Sequence, residues 1–204
     1  MDLEGNRNLI EAARAAGVER FVFVSLLGAD PDHPSPFVRA KSQSEAALRE
    51  SGMGYTIISP TAFMEVWVAM VVGMHALQGR PVTLIGEGRR RHSFVSNRDV
   101  AAFVVAALDN PATRNEYLAI VGPEPLTWLD VVATYERVLD SSIPVEFVAM
   151  GEPVPGLPDP MPEMMAGMET YDTAIEMEET SRTFGVPLTT LETFVREQVS
   201  SHTA

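Results

Sequence analysis

Helix-like and strand-like segments alternate along the first part of this chain, and that alternation limits the fold more than any other feature. Residues 19–28 and 54–60 are short runs rich in apolar and β-branched residues, which is typical of strands buried on both faces of a parallel sheet. Each run follows an amphipathic segment that stops at a glycine, Gly17 or Gly52, where helices commonly end. The order predicts an α/β domain built around a parallel sheet.

The pattern continues beyond residue 60 and becomes mainly helical in the last third of the chain. Thr127 and Asp130 have the spacing of a capping box at the start of one of these helices. The predicted helices are 62–77, 96–110, 127–140, 163–180 and 188–200. The predicted strands are 80–88, 116–122 and an edge strand at 145–150, with a proline-rich loop at 151–162.

The composition excludes several functional classes. A chain of 204 residues with 46% hydrophobic residues can bury a core of ordinary size. The formal net charge of −13 argues against binding to nucleic acid or to an anionic membrane. The chain has no cysteine, which excludes disulfides, zinc thiolates and a cysteine nucleophile. No histidine or acidic motif has the spacing of metal ligands, so we expect no metal site.

No segment has the pattern of a secretion signal or a membrane span. The most apolar stretch, residues 61–79, carries Glu65, His75 and Gln78, so a buried helix is favoured over a membrane-spanning one. The chain does not open with a charged, then apolar, then small-residue pattern. We therefore expect a cytoplasmic protein that binds a small-molecule substrate.

The usual signature of a dinucleotide-binding sheet is missing. Such a sheet begins with a strand, a glycine-rich turn and a helix whose N-terminus holds the pyrophosphate. This sequence begins within a helical pattern instead. The glycine pair at 52–54 lies between a helix and a strand, and the pair at 86–88 runs into three arginines without a third glycine. Neither pair is predicted to be a phosphate loop.

Three segments carry a resemblance to a known family. Residues 5–28, 36–63 and 92–108, the last with a D-V-A signature, resemble the central part of the atypical short-chain dehydrogenases/reductases. The most similar branch is the NmrA-like NAD(P)-binding proteins. The resemblance covers residues 2–125 and implies a Rossmann-like fold with NADP or NAD as the cofactor, while the preference between the two cofactors stays open.

The resemblance also implies that the chain is the C-terminal portion of a longer fold, because family members carry a glycine-rich N-terminal half. We expect a partial doubly wound parallel sheet with a small α-rich substrate region. The expected domains are a truncated Rossmann-like NAD(P)-binding domain at 1–125 and a helical lid region at 126–204. In the family order, residues 21–26 would lie mid-sheet, so here they would form an unpaired apolar edge. Such an edge invites pairing with another chain, and we expect a homodimer or pairing through that edge.

Lys41 is the first candidate site residue. It is the only lysine among 15 basic residues, and by resemblance it is the lysine that binds the ribose hydroxyls and lowers the pKa of a tyrosine one helical turn earlier. Phe37 stands at the tyrosine position and cannot exchange a proton. Ser25 follows the first strand, at the carboxyl edge where open α/β sheets bind ligands, and could donate a hydrogen bond to a carbonyl. Alternatively, Lys41 is a solvated surface residue, and the hydroxyl of Ser25 forms a hydrogen bond with a backbone group at the end of the strand.

The remaining candidates follow the second strand or lie in nearby loops. By resemblance, the cofactor-binding set comprises Ser25, Lys41, Ser59, Pro60, Thr61 and Phe63. His33 and Met64 are candidates for contact with substrate, although Phe63 and Met64 are also consistent with core packing, and His33 with an exposed loop. His75 is expected to be buried. His92 adjoins Arg89–Arg91, a cluster that could hold a phosphate or carboxylate or could form a solvated loop.

Three functions remain open from the sequence. The first is NAD(P)H-dependent reduction of a small apolar or quinone-like substrate, with Lys41 and Ser25 as the catalytic residues and no tyrosine acid. The second is a nucleotide-sensing or interaction protein without catalysis, which Phe37 favours. The third is a cofactor-independent isomerase or lyase that reuses the same cleft. The methionine-rich segment 161–177 fits a lid over an apolar ligand.

Overall fold

Parallel strands flanked by helices make up the computed structural model, which describes residues 2–202 and confirms the predicted α/β class. The strands are β1 (Arg20–Val24), β2 (Gly54–Pro60), β3 (Val82–Ile85), β4 (Glu116–Ile120) and β5 (Val145–Val148). The first α-helices are α1 (Asp2–Ala15), α2 (Pro36–Glu50), the single turn α3 (Met74–Ala76) and α4 (Asn97–Asp109). The others are α5 (Trp128–Leu139), α6 (Met161–Met168), α7 (Glu178–Phe184) and α8 (Leu191–His202), with a π-helix at Met64–Gly73 and a 3₁₀ turn at Pro111–Thr113.

The first of two compact units contains residues 2–61, 98–120 and 182–186. Its sheet has the strand order β1-β2-β4 with every pair parallel, and Phe23 pairs with Ile57 across the first two strands. Ile10, Leu48 and Met53 complete a core with these two residues. Among residues 2–202, no strand pairs with the other side of β1, so β1 is an edge strand as expected.

The second unit contains residues 62–97, 121–181 and 187–202. Its sheet is the parallel pair β3-β5, which confirms the predicted edge strand. A larger core surrounds Trp128, whose ring centroid lies 5.0 Å from that of Phe94. Thr127 and Asp130 form the predicted capping box of α5. The units draw on interleaved stretches of chain, and the division into domains at residue 125 stays a prediction.

The predicted α-helix over residues 62–77 is wrong in type. Residues Met64–Gly73 form a π-helix, and only one α-turn follows; for example, the N–H of Met74 donates to the carbonyl of Ala69, five residues earlier. This segment is apolar on nearly every face and has six buried residues. Without a polar face, the sequence does not fix a 3.6-residue period, and packing within the unit selects the wider helix.

The predicted helix at 163–180 is wrong in extent. It is divided into α6 and α7 by the non-helical residues 169–177. Thr173 leaves the helical path to pair with a distant segment: its N–H donates to the carbonyl of Arg91 at 2.7 Å, and its carbonyl accepts from Ser93 at 3.1 Å. These long-range bonds replace the helical ones that local sequence favours. None of the helices in residues 2–202 has the length and apolar character needed to cross a membrane.

Candidate functional site

The carboxyl ends of β1 and β2 bring four of the predicted site residues to one edge of the first sheet. The N–H of Ser25 donates to Ile58 at 2.7 Å, which continues the strand pairing by one residue beyond β1. Ser59 and Pro60 end β2, and the N–H of Thr61 donates to Ile120 of β4 at 3.1 Å. In the first unit these residues therefore lie at the carboxyl edge of the sheet, where the sequence predicted them.

Lys41 reaches the same edge from α2. Its Nζ donates to the carbonyl oxygen of Val24 at 3.1 Å and lies 5.2 Å from the centroid of the Phe23 ring and 5.8 Å from that of Phe37. Two aromatic rings near an ammonium group stabilise its charge. Lys41 is half-buried, so the alternative of a freely solvated surface lysine is not what the fold shows.

Glu45 joins this cluster, although the sequence did not single it out. The hydroxyl of Ser25 donates to Oε1 of Glu45, and Arg49 pairs with Oε2 at 2.9 Å. Glu45 is buried, with 5% of its surface exposed. The available signal was the spacing of Lys41, Glu45 and Arg49, which repeats every four residues and places all three on one face of α2.

The bond to Glu45 decides which polarity Ser25 offers to a ligand. An ionised carboxylate only accepts hydrogen bonds, and a serine hydroxyl has a single proton. In this arrangement the proton of Ser25 points at Glu45, and its lone pairs remain available. Ser25 therefore offers an acceptor, whereas the sequence suggested a donor to a carbonyl. Lys41 supplies the cationic donor beside it.

Replacing Glu45 by alanine is expected to lower the free energy of unfolding by about 1–3 kcal/mol, because it leaves the buried hydroxyl of Ser25 without its acceptor. Urea unfolding measures the effect. Glu50→Ala, at the exposed end of the same helix, is the matched control and is expected to change stability by less than about 0.5 kcal/mol. Equal effects of the two substitutions would contradict the role given to Glu45.

Two other candidates in the first unit have distinct surroundings. The Oγ of Ser59 is buried and makes no hydrogen bond within residues 2–202. His33 accepts a hydrogen bond at Nδ1 from the N–H of Ser35 at 3.1 Å, and its carbonyl accepts from Arg39 at 2.7 Å. These bonds tie His33 to the turn before α2. Its proposed contact with substrate stays a prediction.

Phe63 and Met64 lie in the second unit. Phe63 pairs with Val95 as an isolated β-bridge, and the N–H of Met64 donates to the carbonyl of Val95 at 2.9 Å. The side chain of Met64 is fully buried in the core of that unit, which favours the packing interpretation over contact with substrate. The cofactor role of Phe63 stays a prediction.

His92 is the clearest correction among the histidines. It was expected either in an anion-binding cluster or in a solvated loop, yet only 2% of it is exposed. Its ring lies edge-on to Tyr171 with centroids 5.7 Å apart, and Nδ1 lies 3.4 Å from Oγ1 of Thr173. Burial lowers the pKa of His92 from its ordinary value. His75 is buried as predicted, and burial followed by the charge of Arg80 lowers its pKa too.

The stability of the protein is expected to decrease as the pH falls from about 7 to about 5.5. The pKa values of His75 and His92 are lower in the folded state than the ordinary 6.5, so the unfolded chain binds more protons in this range and is favoured by acid. Unfolding in urea at a series of pH values measures the slope. His92→Phe, which cannot titrate, should reduce that slope. His202→Gln, at an exposed site, should leave it unchanged.

The described residues show no metal centre. Within residues 2–202, no group of three or more histidine, aspartate or glutamate side chains is arranged to hold a metal ion.

Residues 2–111, more than half of the chain, match the family model described as NAD(P)H-binding. The chain belongs to the NAD(P)H-binding family. This membership confirms the resemblance drawn from residues 2–125 and the predicted cofactor class, NAD(P)H.

The curated relatives are longer than the part of them that this chain matches. The chain is 32% identical over 142 residues to an NAD(P)H azoreductase of Xenophilus azovorans, covering 70% of this chain and 48% of the relative. It is 33% identical over 141 residues to a (4-alkanoyl-5-oxo-2,5-dihydrofuran-3-yl)methyl phosphate reductase of Streptomyces griseus, covering 69% and 48%. The chain therefore spans about half the length of these relatives.

Solved structures support the fold. An NADPH-dependent quinone oxidoreductase of Escherichia coli, complexed with NADPH, is similar with a TM-score of 0.76 at 23% identity, covering 98% of this chain and 71% of that one. A triphenylmethane reductase of Citrobacter sp., complexed with NADP(H), gives a TM-score of 0.76 at 19% identity, covering 95% and 70%. At these identities the similarity shows the fold.

Proposed function

We propose that this chain forms the nicotinamide-facing and substrate-facing part of an NAD(P)H-dependent reductase for a small apolar or quinone-like substrate. The observation that carries the proposal is the position of Lys41, whose Nζ donates to Val24 at the carboxyl end of β1. Ligands of open α/β sheets bind outside the carboxyl ends of the strands. Membership of the NAD(P)H-binding family makes a reduced nicotinamide the expected ligand there.

The polar groups at this edge fit the nicotinamide end of the cofactor. Lys41 is a cationic donor suited to ribose hydroxyls, and Ser25 is an acceptor whose direction is fixed by Glu45. A glycine-rich turn between a strand and a following helix, which would hold the diphosphate, is not found within residues 2–202. The fit therefore concerns the nicotinamide and ribose end.

The chemistry of the residues then follows from their charges. NAD(P)H, when bound, supplies a hydride. Lys41 stabilises negative charge that develops on a substrate oxygen or nitrogen, because an ammonium in a partly buried site interacts strongly with a nearby anion. Ser25 orients a donor group of the ligand. Phe37 cannot supply the proton that completes the reduction, so the anion that hydride transfer creates is stabilised by Lys41 and takes its proton from solvent water.

The proposed substrate class rests on the relatives. The Xenophilus relative is named for azo reduction and the Escherichia coli structure for quinone reduction. Such substrates are reduced at conjugated nitrogen or oxygen atoms and carry large apolar surfaces.

Nucleotide titration followed by turnover tests the proposal. NADPH and NADH are titrated against the chain with tryptophan fluorescence and calorimetry, and NADPH oxidation is then followed with a panel of quinones and azo compounds. Saturable binding and substrate-dependent oxidation are the expected results. Binding without oxidation of any substrate would favour the nucleotide-sensing alternative. Failure to bind either nucleotide would overturn the proposal and leave the cofactor-independent alternative.

Phe37→Tyr is expected to increase kcat about tenfold. Phe37 is 45% exposed and its ring lies 5.8 Å from Nζ of Lys41, so a phenol there would have a lowered pKa and could donate a proton. The pH profile of kcat should gain a basic limb. Phe37→Leu removes the ring without adding a proton donor and serves as the control. Equal rates for the tyrosine and leucine variants would show that the position does not face the substrate.

A further inference from the structure

The loop after β3 concentrates positive charge in an acidic protein. Arg89, Arg90 and Arg91 are consecutive in a chain with a formal net charge of −13. Residues 86–91 are here called the arginine loop, and all of them except Gly88 line a cavity of about 510 Å³ in the second unit. The other residues that line it are Met150, Glu169 and Asp172. The proposed reductase function assigns no role to this cavity.

A carboxylate of the same chain already lies in the arginine loop. A Cβ atom added to Gly86 would come within 2.8 Å of Oε2 of Glu169, so the carboxylate is packed against the backbone. Gly86 and Gly88 have φ angles of +67° and +62°, and the N–H groups of Glu87 and Gly88 act on the carboxylate to lower its pKa. Turns of this kind direct successive N–H groups towards an anion. The loop therefore already holds one oxyanion.

The carboxylate of Glu169 lacks some of the hydrogen bonds that a buried carboxylate normally forms. Its Oε1 is buried and forms no hydrogen bond with any residue between 2 and 202. Burial is the largest influence on the pKa of Glu169 and, together with the charge of Glu87, raises it despite the opposite effects of the backbone N–H groups and of Arg90. Glu169 immediately follows α6 and belongs to the non-helical residues 169–177.

Contacts among residues 2–202 do not use all the guanidinium donors of the arginine loop, so donors remain for another anion. Arg90 donates to the carbonyl of Glu169 at 3.1 Å and lies 3.6 Å from Asp172. Arg89 lies 3.9 Å from Glu87, and both side chains are mostly exposed to solvent, so this pair is weak. The guanidinium of Arg91 makes no ion pair or hydrogen bond with the part of the chain that the structure describes.

We propose that the arginine loop binds an oxyanion of a ligand, a carboxylate or a phosphate, in place of the Glu169 carboxylate. The N–H groups of Glu87 and Gly88 donate hydrogen bonds to the oxyanion. The guanidinium groups of Arg89 and Arg91 neutralise its negative charge. Guanidinium suits both oxyanions because its donors match two oxygens at once. The cavity beside the loop gives room for the rest of the ligand.

Titration with two simple anions, followed by amide NMR, tests the proposal. Inorganic phosphate and succinate are added separately to the full chain at constant ionic strength and pH. At least one anion is expected to cause saturable shifts of the Glu87 and Gly88 amide signals. Saturation by phosphate alone identifies a phosphoryl ligand, saturation by succinate alone a carboxylate ligand, and both outcomes support an oxyanion site. Absence of saturable shifts at these amides with either anion overturns the proposal.

Three variants separate displacement of Glu169 from a general effect of charge. Glu169→Gln removes the competing charge with little change of shape and is expected to tighten anion binding at least fivefold. Arg91→Gln is expected to weaken it at least fivefold. Arg80→Gln removes the same charge from an exposed site in the same unit, outside the loop, and is expected to leave affinity unchanged.

The outcomes of these variants decide the proposal independently of the reductase function. Unchanged or weaker binding by Glu169→Gln, in a variant whose unfolding midpoint is unchanged, would show that Glu169 does not compete. Equal weakening by Arg80→Gln and Arg91→Gln would show only nonspecific attraction. None of these measurements uses a nucleotide or a reducible substrate, so failure of the reductase proposal leaves them intact.

Discussion

Gly122→Ala is expected to cause a large loss of stability in the second unit. Gly122 follows β4 and passes so close to the backbone of Phe94 that an added Cβ would overlap the carbonyl oxygen and lie 2.7 Å from the carbonyl carbon. Phe94 is 1% exposed, and Val121, next to the glycine, is fully buried. Because the obstacle is buried backbone, it cannot rotate away as a side chain would.

The expected loss in the free energy of unfolding is at least about 3 kcal/mol, at the upper end of what overpacking of a core costs. Such a loss is a large fraction of the stability of a typical domain. Urea unfolding followed by tryptophan fluorescence measures it, because Trp67 and Trp128 both belong to the core of this unit.

Gly167→Ala is the matched control. Gly167 lies in α6 of the same unit, and an added Cβ there would have no atom within 4 Å. Alanine in a helix is favoured over glycine by about 0.5–1 kcal/mol, so this variant is expected to be as stable as the parent or slightly more so. A Gly122→Ala chain with the same unfolding midpoint as the Gly167→Ala chain would show that the close approach is not as tight as the structure indicates.

The parts of the fold that follow from local patterns were predictable. The strand at 54–60 has the bounds that the sequence indicated, because a β-branched run is enclosed by Gly54 and Pro60. The cap at Thr127 was predictable for the same reason, since both of its partners lie within four residues. Local chemistry is sufficient where the decisive contacts are local.

The failures share a physical cause, which is contact between residues far apart in sequence. His92 is buried because Leu126 and Thr173 pair with it from opposite sides, and neither partner is visible in the R-R-R-H segment. The non-helical segment after α6 forms for the same reason. The π-helix differs: its uniformly apolar sequence indicates a helix but contains no information on the helical period.

The candidate site was predictable in position but not in its hydrogen bonds. Parallel strands align their carboxyl ends, so Ser25 and Ser59 had to meet at one edge once the strands were recognised. Lys41 was found through its place in a family motif. The polarity of Ser25 depends on Glu45, which lies 20 residues away on α2, and only the assembled helix and strand show that bond.

Lys41→Met is expected to lower kcat for the proposed reduction about 100-fold. Methionine keeps a similar apolar stem against the Phe23 ring but removes the ammonium that donates to Val24. Lys41→Arg should restore little of the rate, because a guanidinium is a wide planar fork and the ammonium site is bounded by a carbonyl and an aromatic ring. Steady-state oxidation of NADPH with a quinone measures both variants.

The size of the effect on kcat, compared with the effect on nucleotide affinity, identifies what Lys41 does. If it only bound the ribose, Lys41→Met would raise the dissociation constant for NADPH and leave kcat at saturation unchanged. Stabilisation of charge on the substrate predicts a fall in kcat that persists at saturating nucleotide. Arg14→Gln, which removes one positive charge from the exposed end of α1, is expected to retain the parent rate. A Lys41→Met protein that matches Arg14→Gln in kcat would show that Lys41 takes no part in the chemistry and that it acts only in binding.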